Sequence, residues 1–345
     1  MMNIAILDAL VGVGVPDTGL LSLGVLSRGR SLTRPLCVTV EGVTRIAGAG
    51  VETYCRPTER LDFDRLADGP EMRTLTYATL SQLCGPGAHT LALMLGLPVE
   101  VLADAERARR TLRTLRGWLV GEHTFTVDDQ TLHLHVTALN VLAQPAGAFF
   151  AWGFDDAGQW RRAPDDLQTP VAICDIGFNT VDLFTVQAGQ VVARFTGGDT
   201  AGMRRAAELL VQAVRRQWAV TLSLHQADAL LRARQPTLSS AGQTYDLAPL
   251  VHQARETTAG AVTAFLESRW GNGRQFGYVL LTGGGAAALH TTLLRQFPHA
   301  VLLPDAVSAN ALGLARYARR VFKEAPVVVG LDPGFGSFKA VQLER

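Results

Sequence analysis

Two segments far apart in the chain carry the same chemistry-bearing residues at the same offsets. Val171 to Thr180 reads VAICDIGFNT and Val328 to Ser337 reads VVGLDPGFGS, so Asp175 and Asp332, Gly177 and Gly334, Phe178 and Phe335, and the hydroxyls of Thr180 and Ser337 correspond. Glycine lets backbone N–H groups approach an anion, a hydroxyl donates to it, and a carboxylate orients hydrated Mg²⁺. Either copy alone is compatible with an ordinary hairpin turn, because D-x-G is common. As an internal repeat the two read as facing halves of a phosphate and metal clamp.

The elements that must hold these tips are legible on either side of them. Each aspartate ends an apolar run, and a second extended run leaves the turn, Val181 to Val186 in one copy and Phe338 to Leu343 in the other. Both repeats are therefore expected to be β-hairpins with the aspartate at the tip. Tyr278 to Leu281 is a third buried strand, running into Thr282, Gly283, Gly284 and Gly285 and then a helix. Bare backbone at a helix N-terminus suits a nucleotide's base and ribose, although close packing alone would also call for glycine. The spacing is wrong for a G-x-G-x-x-G dinucleotide fingerprint, and neither a G-x-S-x-G elbow nor a Walker loop occurs.

Elsewhere strands and helices alternate, which favours α/β layers. A hairpin is expected at Leu36–Val40 and Val43–Ala47, and strands at Thr90–Leu95 and Leu132–Leu139. Helices are expected at Arg73–Leu83, Ala103–Leu119, Pro145–Trp152, Gly202–Trp218, Gln226–Arg234, Leu250–Trp270 and Ala309–Val321. Asn3 to Val15 reads as a buried strand and its turn; it carries Asp8 and meets Pro16 too soon to span a membrane. Asp62 to Arg73 reads as a charged surface loop entering a helix. The arginines at 107, 109, 110, 113 and 116 form a basic helix face, a solvated surface by default, with a filament contact or an acidic partner as the alternative. His133 and His135 share one strand face without a third ligand, too little for a metal site.

With 345 residues and 48% hydrophobic composition the chain is long enough for two globular domains. Thirty-two basic against thirty-one acidic residues leave a net charge of +1, so no global field draws nucleic acid or anionic lipid. Cys37, Cys55, Cys84 and Cys174 include no C-x-x-C pair, and a reducing cytoplasm fits.

The two hairpins, the Thr282-Gly-Gly-Gly segment and Pro304 to Gly313 together resemble the actin, sugar-kinase and heat-shock-chaperone superfamily. There the corresponding pieces are called phosphate 1, phosphate 2, adenosine and the second connecting helix. Gly96-Leu-Pro-Val99 and Gln144-Pro-Ala-Gly-Ala148 are similar in style to the bacterial and archaeal actin-like group that includes ParM-type plasmid-segregation proteins. The resemblance implies an α/β, two-domain actin-like ATPase fold of duplicated ribonuclease-H-like domains. Phosphate 1 stands at the end of this chain where the family has it first, which implies a circular permutation. Domain I would combine 1–155 with 311–345, and domain II would span 156–310.

The roles implied by the resemblance are these. Asp332 would hold Mg²⁺ through water beneath ATP, with the backbone of Gly334, Phe335, Gly336 and Ser337 and the ammonium of Lys339 on the phosphates. Asp175 would face it, with Gly177, Asn179 and Thr180 completing the clamp. Gly283, Gly284 and Gly285 would line the adenosine, and Gln144 would orient the attacking water. The implied function is ATP hydrolysis coupled to filament assembly in the cytoplasm, plausibly moving plasmid or other DNA through an adaptor rather than by direct contact. A monomeric small-molecule kinase and a non-hydrolysing nucleotide-binding scaffold are the alternatives.

Overall fold

The computed structural model describes residues 1–14, 33–58, 60 and 62–345. In chain order the first part contains β1 (Met2–Asp8), β2 (Val11–Val13), β3 (Leu36–Val40), β4 (Val43–Ala47), α1 (Val51–Tyr54), α2 (Pro70–Cys84), β5 (Gly87–Leu97), α3 (Val99–Ala103), α4 (Ala105–Leu119), β6 (Gly121–Val127), β7 (Gln130–Ala143) and α5 (Gln144–Gly153). The middle contains α6 (Pro164–Gln168), β8 (Val171–Ile176), β9 (Val181–Gln187), β10 (Gln190–Val191), β11 (Gly197–Asp199), α7 (Arg204–Trp218), α8 (Leu224–Arg232), β12 (Thr237–Ser240), β13 (Gln243–Asp246), α9 (Ala248–Trp270), β14 (Tyr278–Thr282), α10 (Gly284–Gln296) and β15 (Ala300–Leu302). The chain closes with α11 (Ala309–Val321), β16 (Val327–Pro333) and β17 (Ser337–Glu344).

Two sheets carry the site. The nine-stranded sheet runs β1-β17-β16-β5-β7-β6-β3-β4-β2, and the six-stranded one runs β10-β9-β8-β14-β15 with β11 also on β9. In the first, β5 is parallel to both β16 and β7, and Leu91 to Leu97 are all buried because helices cover both faces. Leu91, Leu93 and Leu95 pack with Leu75 and Ala78 of α2, while Met94 packs with Ala311, Leu314 and Ala315 of α11, the alternation that a period of two imposes. In the second sheet β8 is buried at every position between β9 and β14.

The expected hairpins, strands and helices form, with shifts of a few residues at their ends. Ala103–Leu119 is the exception, being two helices broken at Asp104, whose carboxylate caps α4 by accepting from the Arg107 N–H. Two further expectations are corrected. The Asn3 strand is not buried: among the described residues β1 is the sheet's edge and pairs only with β17, and Ile4 and Ile6 are 46% and 53% exposed while Ala5 faces the core. Val15 and Pro16 lie outside the described residues. The stretch from Asp62 is not wholly a surface loop, because Arg65 and Glu71 are buried. The Arg65 guanidinium donates to the carbonyls of Arg60 and Ala9 and lies over the Phe335 ring, which substitutes for its lost hydration.

The connection between the sheets is packed backbone to backbone. A Cβ on Gly313 of α11 would lie 1.7 Å from the Gly147 carbonyl oxygen of α5, and one on Gly330 of β16 would lie 2.2 Å from the Ala311 carbonyl oxygen. Only glycine permits that approach. Gly313→Ala should therefore destabilise the fold by roughly 3 kcal/mol, read as a lower urea midpoint. Gly117→Ala on α4, where nothing lies within 4 Å, should instead stabilise it by about 0.5 kcal/mol. Equal midpoints for the two variants would contradict this packing.

Candidate functional site

Both hairpins close with the same hydrogen bond. The Gly177 N–H donates to the Thr180 carbonyl at 2.9 Å, and the Gly334 N–H donates to the Ser337 carbonyl at 3.0 Å. The antiparallel register then sets a residue seven positions on opposite each aspartate: Lys339 opposite Asp332, and Asp182 opposite Asp175. Directly opposed residues share a face, and the two copies use that fact differently. Lys339 Nζ lies 3.1 Å from Asp332 Oδ2 in a partly buried ion pair. Asp182 instead sends Oδ1 to the Val99 N–H at 2.8 Å, tying β9 to the start of α3.

The tips meet across a cleft between the sheets. A Cβ on Gly336 would lie 2.9 Å from Phe178 Cβ, so one tip abuts the other. Each tip phenylalanine is anchored from outside the hairpin: Phe178 stacks on His225 of α8 at 5.9 Å, and Phe335 meets Phe63 edge-on at 5.9 Å. Asp175, Gly177, Asn179, Thr180, Asp332, Gly334 to Ser337, Lys339, Gln144 and all three glycines at 283–285 line this one cleft, so the structure brings together every residue singled out by sequence.

The helices that enter the cleft fix its carboxylates. Asn310, at the start of α11, donates from Nδ2 to Asp175 Oδ2 at 2.7 Å. Gln144, the first residue of α5, donates from Nε2 to the Pro333 carbonyl at 3.0 Å. Among the three glycines the demand differs. Gly283 has φ +87° and a Cβ there would lie 2.4 Å from Asp175 Oδ1; a Cβ on Gly285 would lie 2.4 Å from Ile176 Cγ2; at Gly284 nothing lies within 4 Å. Close packing therefore requires the outer two, and only Gly284 leaves open space.

Two buried oxygens here have no hydrogen-bond partner, Asp332 Oδ1 and Asn310 Oδ1. Leaving such atoms unmatched is costly. An oxygen-liganded, hydrated cation at the tips would satisfy the carboxylate, so the donor set fits Mg²⁺ held through water. Among the described residues no cluster of three or more His, Cys, Asp or Glu side chains could hold a metal directly. His133 and His135 partner Thr124 and Glu122 across the β6–β7 hairpin.

Burial and then the Asp332 charge push the Asp175 carboxyl up to about 6, against the pull of Lys339 and Asn310. Burial and then Asp175 push Asp182 up to about 7. Carboxyls raised in the folded state stabilise it below their unfolded value near 4, and that stability is lost as pH rises through the folded value. Stability should therefore fall between about pH 4 and pH 7. Asp182→Asn should flatten the upper part of that fall and melt above the parent protein at pH 8. Parallel stability profiles for the two proteins would remove Asp182 from the account.

Several residues that line the cleft, or pair across a strand with a residue that does, had no place among the expected site residues. Asp182 was discoverable from the repeat, since Lys339 occupies the same offset. Asn310 lay in a segment already noted. Asp228 and Arg232 of α8, an i,i+4 ion pair at 2.8 Å on the cleft wall, belong to no motif and arrive only through tertiary packing.

Two family models match the chain: residues 18–147 match "Actin like proteins N terminal domain", and residues 173–295 match "Archaeal actin homologue MreB-like, C-terminal". No curated protein matches. Among solved structures, a 15-stranded ParM filament from Clostridium botulinum is similar with TM-score 0.67 and 17% identity, over 91% of this chain and 92% of that one. The archaeal actin homologue Ta0583 in complex with ADP gives TM-score 0.62 and 17% identity over 83% and 89%. Apo pSK41 ParM gives 0.64 and 12% over 92% and 91%. The fold is thus the actin-like fold.

Proposed function

Because this chain belongs to the actin-like ATPase superfamily, we propose that its cleft binds and hydrolyses ATP with Mg²⁺ and that the protein assembles into filaments. The observation that carries the reading is the pair of hairpin tips facing one another, with Asp332 Oδ1 buried and unmatched between them. The Ta0583 structure with ADP and the C. botulinum ParM filament support nucleotide binding and assembly respectively.

In this reading the backbone of 334–337 and the Lys339 ammonium bind the terminal phosphates, and Gly177, Asn179 and Thr180 close on them from the other tip. Asp332 holds the hydrated metal, which when bound neutralises phosphate charge. Asn310 positions Asp175. Gly284, at the uncapped N-terminus of α10, lies along the adenosine with Gly283 and Gly285. The Gln144 side-chain oxygen, left free by the bond from Nε2, accepts from the attacking water. The cleft encloses about 80 Å³, below the roughly 300 Å³ of a small-ligand site, so in this reading the cleft opens to admit nucleotide.

Domain I is taken as 1–155 with 311–345, and domain II as 156–310. A permuted order is supported by the adjacency of β1, β17 and β16 and by the short link from α11 into β16. No helix among the described residues is long and apolar enough to cross a membrane, and the proposed setting is the cytoplasm. The proposed role is movement of plasmid or other DNA through an adaptor protein. Sedimentation with ATP and with a non-hydrolysable analogue, beside phosphate release, tests the proposal. Filaments with release support it. Release only with an added acceptor would indicate a kinase, and neither filaments nor release would indicate a passive scaffold.

A further inference from the structure

A second concave site lies away from the cleft, where the loop after α5 meets the end of α11 and the end of β17. It encloses about 640 Å³, within the range of ligand and peptide pockets. Arg319, Arg320, Lys323 and Arg345 line it, and none of the four forms an ion pair with a described residue. Their contacts are to backbone and ring: Arg319 donates to the Ala325 carbonyl at 3.2 Å, Arg345 to the Lys323 carbonyl at 2.7 Å, and Arg320 lies 5.8 Å from the Phe154 ring centre. Of the acids on the wall, Asp156 is taken by Arg316 at 2.9 Å and Glu344 accepts from Gln342 at 2.9 Å. Burial and the neighbouring Arg345 charge both disfavour the charged Arg319 guanidinium. The cavity thus gathers four cations that no ion pair with a described residue neutralises, unlike α4, whose arginines radiate from a convex helix into water.

We propose that this cavity binds an acidic peptide segment of a partner protein. The carboxylates of Asp156, Glu324 and Glu344 line the same cavity as the cations. They would repel a compact polyphosphate, whereas a peptide can space its carboxylates onto the arginines and direct its amides to the acids. Electrostatic complementarity of this kind gives salt-dependent binding.

The test uses the full chain and a fluorescent oligoglutamate peptide, followed by anisotropy at low and at physiological salt without nucleotide, so the outcome does not depend on the cleft. The expected result is binding that weakens with salt and falls roughly ten-fold in Arg320→Ala/Lys323→Ala. Lys323→Glu, at a side chain with no hydrogen bond or ion pair to a described residue, should weaken it similarly without altering the fold. Arg109→Ala/Arg113→Ala on α4 should bind as the parent does. Absence of binding, parental affinity in the cavity variants, loss in the α4 variant, or tighter binding of inorganic tripolyphosphate at the same cavity would each overturn the proposal.

Discussion

Asp332→Ala is expected to abolish Mg²⁺-dependent ATP hydrolysis, a loss of at least about a thousand-fold, equivalent to roughly 4 kcal/mol of transition-state stabilisation. Asp332 is 1% exposed, with Oδ2 on Lys339 and Oδ1 unmatched. Removing the carboxylate deletes the anchor for the hydrated cation and takes from the partly buried Lys339 ammonium its ion-pair partner, which itself disturbs the tip. Asp332→Asn separates these effects, because it keeps shape and an acceptor oxygen while losing the charge. It should remain folded, judged by circular dichroism, and still lose phosphate release. Parental turnover in either variant would take Asp332 out of the active site.

The second large effect is expected at Gln144. Its Nε2 is committed to the Pro333 carbonyl of the phosphate 1 tip and the residue lines the cleft, which leaves the amide oxygen as the acceptor. An amide oxygen cannot remove a proton outright, but it can accept from a water and aim its lone pair at a phosphorus atom. Gln144→Ala should therefore leave ATP affinity nearly intact and slow hydrolysis by roughly ten- to a thousand-fold. Filaments formed with ATP should become long-lived, since contacts made in the ATP state would persist. Equilibrium nucleotide binding and single-turnover phosphate release, measured on the same preparation, distinguish this from a structural role: a role confined to holding Pro333 would reduce affinity and rate together. Normal hydrolysis would leave Gln144 as a helix start, with the nucleotide-binding half of the reading intact.

The chain's local chemistry fixed much of this site. Two copies of the Asp-x-Gly-Phe turn, each between apolar runs, could hardly fold as anything but hairpins, and the recurrence of one spacing identified both tips before any contact was known. The Gly283–Gly285 turn and the starts of α5 and α11 were legible for the same reason, since glycine and proline punctuate a chain through their own backbone preferences. Tertiary structure decided what pattern could not express. Whether Asn3–Asp8 lies in a sheet centre or at its edge depends on which strands pair beside it, and apolar composition is the same in either place. Arg65 could leave the surface only because the carbonyls of Ala9 and Arg60 and the Phe335 ring converge on it from outside its own segment. Asp182 and Lys339 stand at one offset in the repeat, each opposite an aspartate, and strand register brings their opposite charges face to face with it, giving a raised carboxyl pair in one copy and an ion pair in the other. Asp228 and Arg232 reach the cleft by helix packing alone. Local sequence determined the tips; long-range packing determined what surrounds them, because burial and electrostatics depend on neighbours far away along the chain, as Asn310 is from Asp175.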